Sequence, residues 1–501
     1  MLHQILEPYL KTRLRDISHF LRHPHEVQHN VAMEILQKAK LCKWAIENKL
    51  DKIDGLSEFR SEVPLQKYDD VKPYVDRMLR GENDVLWPGE VKWFAKSSGT
   101  TSSKSKFIPV TKEALKHCHY KASRDLMAMY VRSNPESQIF NGKGLLMGGS
   151  HSVNQVNQRV LFGDLSAVLM QNLPILAKIF QTPELEISLM DDWEEKIERM
   201  AQATVNQNVT NISGVPSWTL VLINKLFEIT GKNNLADIWP KLELYIHGGV
   251  SFTPYRNEFN KLIMSDNMHY RETYNASEGF FAFQDKEGVD DMLLVLDYGI
   301  FYEFIDSDHW DEDNPKTLWL DQVETGKNYE LVITTNSGLY RYRIGDTIRF
   351  TSIKPFRIQI TGRTKHFINV FGEEVMVDNT DRALAVTCQK HDASVKEYSV
   401  GPVFLTTNDK GGHEWVIEFE KSPINLTEFE KDLDLNLQAV NSDYEAKRVK
   451  NLALNGLVIR PVSKGTFYRW LKYKGKLGGQ HKVPRLSNQR SYIEEILKFD
   501  F

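Results

Sequence analysis

Three short stretches of this chain carry residue types suited to handling a molecule with phosphates and a ribose. The first is Ser97-Ser98-Gly99-Thr100-Thr101-Ser102-Ser103-Lys104-Ser105-Lys106. Small residues let the backbone approach a phosphate chain, and consecutive N–H groups and hydroxyls donate to it. Lys104 and Lys106 add positive charge. The GxxxxGK[ST] spacing of a Walker A loop is absent, and a solvated Ser/Thr linker has the same composition. The second stretch is Tyr274-Asn275-Ala276-Ser277-Glu278-Gly279. An aromatic at a strand end can stack on a base, and a carboxylate four residues on can hold Mg²⁺, which usually takes one or two protein carboxylates. The third is Leu339-Tyr340-Arg341-Tyr342-Arg343-Ile344-Gly345-Asp346, where Gly345 tightens a turn that presents Asp346. A carboxylate only accepts hydrogen bonds, so it suits both hydroxyls of a ribose. Taken singly, an ordinary strand exit and a solvent-facing hairpin explain these last two stretches equally well.

A fourth pattern points elsewhere. His25-Glu26-Val27-Gln28-His29 matches HExxH, which on a helix sets two imidazoles one turn apart to hold zinc. Pro24 precedes it and no third ligand follows at a suitable spacing, so a polar helix face is expected instead. No nucleophile–base–acid triad stands out.

The elements that must position these residues follow from periodicity. Val31, Ile35, Ala39, Cys42 and Ile46 share one helical face within residues 27–49, predicting packed N-terminal helices. A strand is expected at 91–95 and a helix over 111–132. Further on come a strand at 144–147, a helix over about 191–207, a strand at 209–212 and a helix over 217–230 ended by Gly231. A strand at 242–246 follows, and Thr253-Pro254 opens another helix. Such alternation predicts an α/β fold. Residues 292–360 change rhythm to short β-branched and aromatic runs, a β-rich subdomain. After Gly362 the chain restarts with helices at about 378–389 and 426–441 and strands near 399–406 and 415–420, a small α+β unit. The predicted division is therefore 1–361, a hinge at 362–366, and 367–501.

Composition narrows the function classes. The 501 residues exceed three times the ~150-residue prior for one domain. With 63 Lys+Arg against 67 Asp+Glu, the net charge of −4 excludes the strongly basic footprint of a dedicated nucleic-acid binder. Three separated cysteines, Cys42, Cys118 and Cys388, form neither a disulfide framework nor a zinc knuckle. No apolar run approaches the ~18 residues of a membrane span, and charges interrupt the N-terminal stretch where a signal peptide would be apolar. A cytoplasmic protein with no membrane or nucleic-acid partner, and no obligate protein partner, is expected.

The order of the motifs says more than any one of them. A Ser/Thr/Gly loop, then Y-x-x-S-E, then Y-R-x-G-D, then Gly362-Arg363-Thr364-Lys365 resembles the adenylate-forming superfamily of acyl-CoA synthetases, peptide-synthetase adenylation domains and luciferases. SSGTTSSKSKFIP, YNASEGFFAF, LYRYRIGD and Gln480-His481-Lys482-Val483-Pro484-Arg485 narrow the resemblance to the plant auxin-responsive (Gretchen Hagen) acyl-acid amido synthetases and their bacterial relatives.

That resemblance implies a large N-terminal adenylation domain and a small mobile C-terminal α+β domain, with ATP and Mg²⁺ as cofactors. It implies phosphate contacts at Ser97, Ser98, Gly99, Thr100 and Thr101, and adenine beside Tyr274 and the backbone of Gly248 and Gly249. Ser277 would lie near the α-phosphate, Glu278 on Mg²⁺ and Asp346 on the ribose. Arg363 and Lys365 match the hinge, and Lys482 matches the mobile-domain lysine that reaches the α-phosphate. Val156, Leu161 and Trp218 fall where the family's acyl pocket lies, although core packing would account for each of them. The implied reaction joins a small-molecule carboxylic acid to an amine, typically an amino acid, through an acyl-adenylate. An acyl-CoA ligase and a non-catalytic nucleotide-binding protein remain the alternatives.

Overall fold

A computed structural model describes residues 2–100, 103–148, 153–157, 159–190, 192–250, 252, 255–310, 312, 314–364, 367–404, 411–448, 454–474 and 483–501. Its centre is one eleven-stranded mixed sheet. The parallel half consists of Gln181–Thr182, Lys143–Leu146, Val209–Ser213, Leu244–Gly248 and His269–Ala276. The antiparallel half continues through Gly279–Phe283, Met292–Leu294, Phe356–Arg363, Tyr342–Ile353, Asn328–Thr335 and Ile300–Asp306. The β-rich stretch read from 292–360 thus extends the same sheet rather than forming a second one. Its strands Met292–Leu294, Ile300–Asp306 and Asn328–Thr335 are buried on nearly every residue, which explains their continuous apolar and aromatic character.

Local chemistry accounts for the element ends. Pro216 starts the Pro216–Thr230 helix at a position where its missing N–H costs nothing, and Gly231 closes it at φ +68°. Thr111 caps the next helical stretch: its Oγ1 accepts from Ala114 N at 3.0 Å and donates to Asn336 O at 2.7 Å. The expected single helix over 111–132 contains a π-helical turn, Leu115–His119, before Tyr120–Ser133. Thr253 and Pro254 lie outside the described residues, and the helix after them is Arg256–Leu262.

The HExxH pattern does lie on a helix, Pro24–Ala39, with Pro24 in its first turn. His25 and His29 face solvent, whereas Val27 and Gln28 are buried. Gln28 donates to Leu296 O and Ile300 O and accepts from Tyr302 N, which ties the helix to the sheet. Among the described residues no cluster of three or more His, Cys, Asp or Glu could hold a metal, and the buried side of the segment is a docking face.

Beside the large sheet, Ser103–Val110, Trp93–Thr100, Leu161–Gly163 and Asn154–Gln155 form a four-stranded sheet. The C-terminal residues build a separate three-stranded sheet of Ser394–Val403, Gly412–Lys421 and Val458–Val462. Helices Val377–Lys390 and Leu426–Val440 pack together beside it. This unit touches the large one directly: the Tyr255 hydroxyl donates to Val370 O at 2.7 Å. Tyr255 and Phe259 share one apolar cluster with Ile368, Val370 and Phe371. Among the described residues, no helix is long and apolar enough to cross a membrane.

Candidate functional site

The Ser/Thr stretch is the distal part of a β-hairpin. Ser97 pairs with Lys106, Ser98 with Ser105 and Thr100 with Ser103, while Gly99 continues the strand. Thr101 lies outside the described residues. Lys106 sets its ammonium 5.9 Å from the ring of Tyr68, whose hydroxyl accepts from Phe107 N at 2.7 Å. Lys106 therefore looks inward, over the site, rather than out from a linker.

The other two stretches meet on the large sheet. Tyr274, near the end of His269–Ala276, is buried with its ring 4.7 Å from Phe281. Its hydroxyl donates to Asp346 Oδ2 at 2.7 Å. Burial first, and the Asp346 charge second, hold that phenol well above its usual pKa, so it remains a donor. Gly345, at φ +84°, makes the bend that presents Asp346 and accepts from Thr364 N. Asp346 is in register with Arg363 on the next strand, and Arg363 Nε reaches Asp346 Oδ1 at 2.8 Å. Each carboxylate oxygen keeps acceptor capacity beyond these bonds, as contacts to two ribose hydroxyls require.

Arg363 also reaches Glu374 at 3.3 Å and lies over the Phe367 ring at 5.1 Å. Burial opposes its charge, but Asp346, Glu374 and Glu278 together outweigh that and raise its pKa. Two carboxylates from separate segments thus pair with one guanidinium, and the charge of Glu278 adds to theirs. Glu278 is partly buried and paired with no side chain among the described residues. Burial raises its pKa; Lys106 pulls it down, and Asp346 and Glu374 push it up. A lone carboxylate facing the phosphate-loop hairpin suits a Mg²⁺ site completed by phosphate oxygens and water. Ser277 sits beside it in the turn between the strands.

Gly248 ends its strand where a Cβ would come within 2.4 Å of Thr273 O, and Gly249 turns at φ +81°. The strand runs two residues further than periodicity indicates, so Gly248 belongs to it rather than following it. Asn369 Nδ2, from beyond the hinge, donates to Gly249 O at 3.0 Å. Of the residues expected at an acyl pocket, Trp218 is buried in the first turn of its helix and Leu161 is partly buried, while Val156 is 45% exposed. Lys365 and Lys482 lie outside the described residues.

The arginines of LYRYRIGD do not face solvent as a plain hairpin would have them. Arg341 forms a two-pronged pair with Glu303 and donates to Arg60 O and Val63 O; Arg343 pairs with Glu330. These bonds tie down the strand that carries Asp346. Glu374, Asn369 and Lys447 were missed at the level of sequence. Each is a common residue type in no motif, and only the docking of the second unit brings it to the site.

A large mixed sheet, a Ser/Thr hairpin beside it and a small α+β unit touching both make up the architecture. A solved structure of an acyl acid amido synthetase, GH3.15, in complex with 2,4-DB superimposes with a TM-score of 0.64 at 17% identity, covering 98% of this chain and 96% of that one. A 2-hydroxyisobutyryl-CoA ligase superimposes with a TM-score of 0.54 at 14% identity, covering 93% and 92%. The GH3 family N-terminal, central and C-terminal domains match residues 13–268, 293–363 and 378–491. The chain belongs to the GH3 family. Its similar relatives include indole-3-acetic acid-amido synthetase GH3.8 of Oryza sativa subsp. indica, 24% identical over 94% of this chain and 90% of that protein. Another is the 4-substituted benzoates–glutamate ligase GH3.12 of Arabidopsis thaliana, 22% identical over 94% of each.

Proposed function

We propose that this protein is an ATP-dependent acyl-acid amido synthetase. A carboxylic acid attacks the α-phosphorus of ATP and pyrophosphate leaves. The amine of an amino acid then attacks the acyl carbon of the adenylate, loses a proton, and displaces AMP. The observation that carries this reading is the convergence of Tyr274, Asp346, Arg363 and Glu278, drawn from separate segments in the motif order of the family, at one end of the sheet.

In this reading Asp346 holds the ribose, and Tyr274 fixes the Asp346 carboxylate while flanking the adenine. Gly248 and Gly249 admit the base against bare backbone. Ser97 to Thr101 cradle the phosphates, with Ser277 at the α-phosphate. Glu278 holds Mg²⁺, which when bound neutralises charge developing on the departing pyrophosphate. Lys482 supplies positive charge at the α-phosphate, and residues 362–366, with Arg363 and Lys365, form the hinge between units 1–361 and 367–501. Trp218 and Leu161, with Val156 at the rim, bound the acyl site. Closure of the small unit keeps water from the adenylate, and preorganised charge lowers the barrier. Location in the cytoplasm suits the unpaired cysteines.

The test is product analysis. The protein is incubated with ATP, Mg²⁺, a panel of aryl, indole and aliphatic acids and the common amino acids, and read by mass spectrometry. An N-acyl amino acid formed together with AMP supports the proposal. An acyl-CoA thioester formed in preference on adding coenzyme A contradicts the choice of acceptor.

A further inference from the structure

The helix Ser442–Arg448 of the C-terminal unit bridges two parts of the large one. At its start, Ser105 Oγ on the phosphate-loop hairpin lies 3.2 Å from Ser442 Oγ. One residue before its end, Lys447 sets its ammonium 5.2 Å from the centre of the Trp218 ring. Lys447 is only 7% exposed. A Cβ on Gly372 would lie 3.2 Å from its Cε and 3.6 Å from its Nζ, so backbone closes another side.

Among the described residues this ammonium meets no carboxylate and donates no hydrogen bond; the indole face is its one electrostatic partner. A cation–π contact leaves the three N–H donors of the ammonium without an acceptor. The neighbouring cations differ. Arg448 is bound by Asp434 and Leu454 O, Arg363 by Asp346 and Glu374, and Lys106 faces Glu278. A buried cation aimed at the first turn of the acyl-side helix is a built half-site for an anion.

We propose that Lys447 binds the α-carboxylate of the amino-acid acceptor; this rests on the amide-forming reading above. The other anions of that reaction have holders or lose their charge. The phosphates belong to the hairpin and to Glu278-bound Mg²⁺, and the donor acid's carboxylate becomes a neutral acyl group on activation. The acceptor's carboxylate stays charged throughout and needs a cation on the side of the acyl carbon. Because Lys447 comes from the second unit and Trp218 from the first, the acceptor site exists only when the two units touch. Recognition of the acceptor is thereby coupled to closure.

The full-length protein tests this with a donor acid chosen by ATP–pyrophosphate exchange. Acceptors are an amino acid and its carboxamide, which keeps the amine and loses the charge. The wild type should favour the amino acid by tenfold or more in kcat/KM, chiefly through KM. That preference should fall towards one in Lys447→Met and persist in Lys447→Arg. A wild type that uses both acceptors equally, or a Lys447→Met variant with undiminished preference, overturns the assignment. A second readout needs no variant. In the presence of a non-hydrolysable acyl-adenylate analogue, the amino acid should shield Lys447 from amine-directed acetylation several-fold better than the carboxamide does. Equal shielding also overturns it. Absence of exchange with every acid would instead remove the amide-forming reading, a distinguishable failure.

Discussion

The Tyr274 hydroxyl donates to Asp346 Oδ2 across 72 residues of sequence, while Arg363 holds the other carboxylate oxygen. Asp346 therefore has its orientation set from both sides before any ribose arrives. Tyr274→Phe removes one of those restraints without changing ring shape. A hydrogen bond to a charged acceptor contributes about 1.5–3 kcal/mol, so the KM for ATP should rise roughly tenfold, with the KM for the acid nearly unchanged. Varying ATP at saturating acid measures this, and an unaltered ATP KM would contradict the role.

Glu278 stands without a side-chain partner among the described residues, within reach of the charge of Lys106 on the Ser/Thr hairpin. Glu278→Ala removes an anionic ligand, so the Mg²⁺ concentration giving half-maximal exchange should move upward by several-fold. A Mg²⁺ titration superimposable on that of the wild type would rule out the assigned contact.

Lys482 is assigned from its place in the QHKVPR motif. Lys482→Ala should abolish carboxylate-dependent exchange while ATP binding, followed by calorimetry, stays within a few-fold. Exchange at the wild-type rate would remove the lysine from the adenylation step.

Arg341 and Asp346 share a motif but not a task. Arg341 is buried against Glu303 and two backbone carbonyls. Removing one partner of such a pair typically costs about 3–5 kcal/mol, so Arg341→Met should unfold at markedly lower urea. The folded protein that remains should bind ATP normally. Intact stability with lost ATP binding would reverse the two roles.

Two adjacent residues predict opposite pH responses. His247 and Glu272 are neighbours in register on parallel strands. Burial, with Arg256 nearby, holds the His247 imidazole down to about 3, and burial pushes the Glu272 carboxyl up to about 7. For His247 the unfolded chain takes up its proton first, so its contribution is full above the unfolded pKa of 6.5 and is lost as pH falls towards 3. For Glu272 the folded state keeps the proton, so stability is lost as pH rises from 4.5 through 7. A tenfold change in proton affinity between the folded and unfolded states is worth about 1.4 kcal/mol. Glu272→Gln should therefore match the wild type near pH 4.5 and exceed it by roughly 2–3 kcal/mol at pH 8 in urea unfolding. A gain independent of pH would refute the buried, proton-holding carboxyl.

The motifs of the candidate site were legible because they announce themselves locally. Gly345 before Asp346 and the Gly248-Gly249 pair at the end of an apolar strand need no tertiary knowledge to be noticed. Pro216 and Gly231 likewise mark their helix from within the sequence. The rest depended on long-range docking. Nothing near Glu374 or Asn369 signals that one meets Arg363 and the other Gly249 O. The HExxH pattern misdirects for a related reason, since its spacing describes a helix face but not which side of the helix the sheet will cover. The motif alone leaves a solvent-facing hairpin open for Arg341 and Arg343, because their partners, Glu303 and Glu330, come from other strands of the sheet.

The most direct measurement is ATP–pyrophosphate exchange with Mg²⁺ across aryl, indole and aliphatic carboxylic acids. Exchange that depends on one class of acid, and falls in Glu278→Ala and Asp346→Ala alike, is the result expected of an adenylate-forming cleft. ATP binding with no acid-dependent exchange across the panel, or no ATP binding at all, would contradict it.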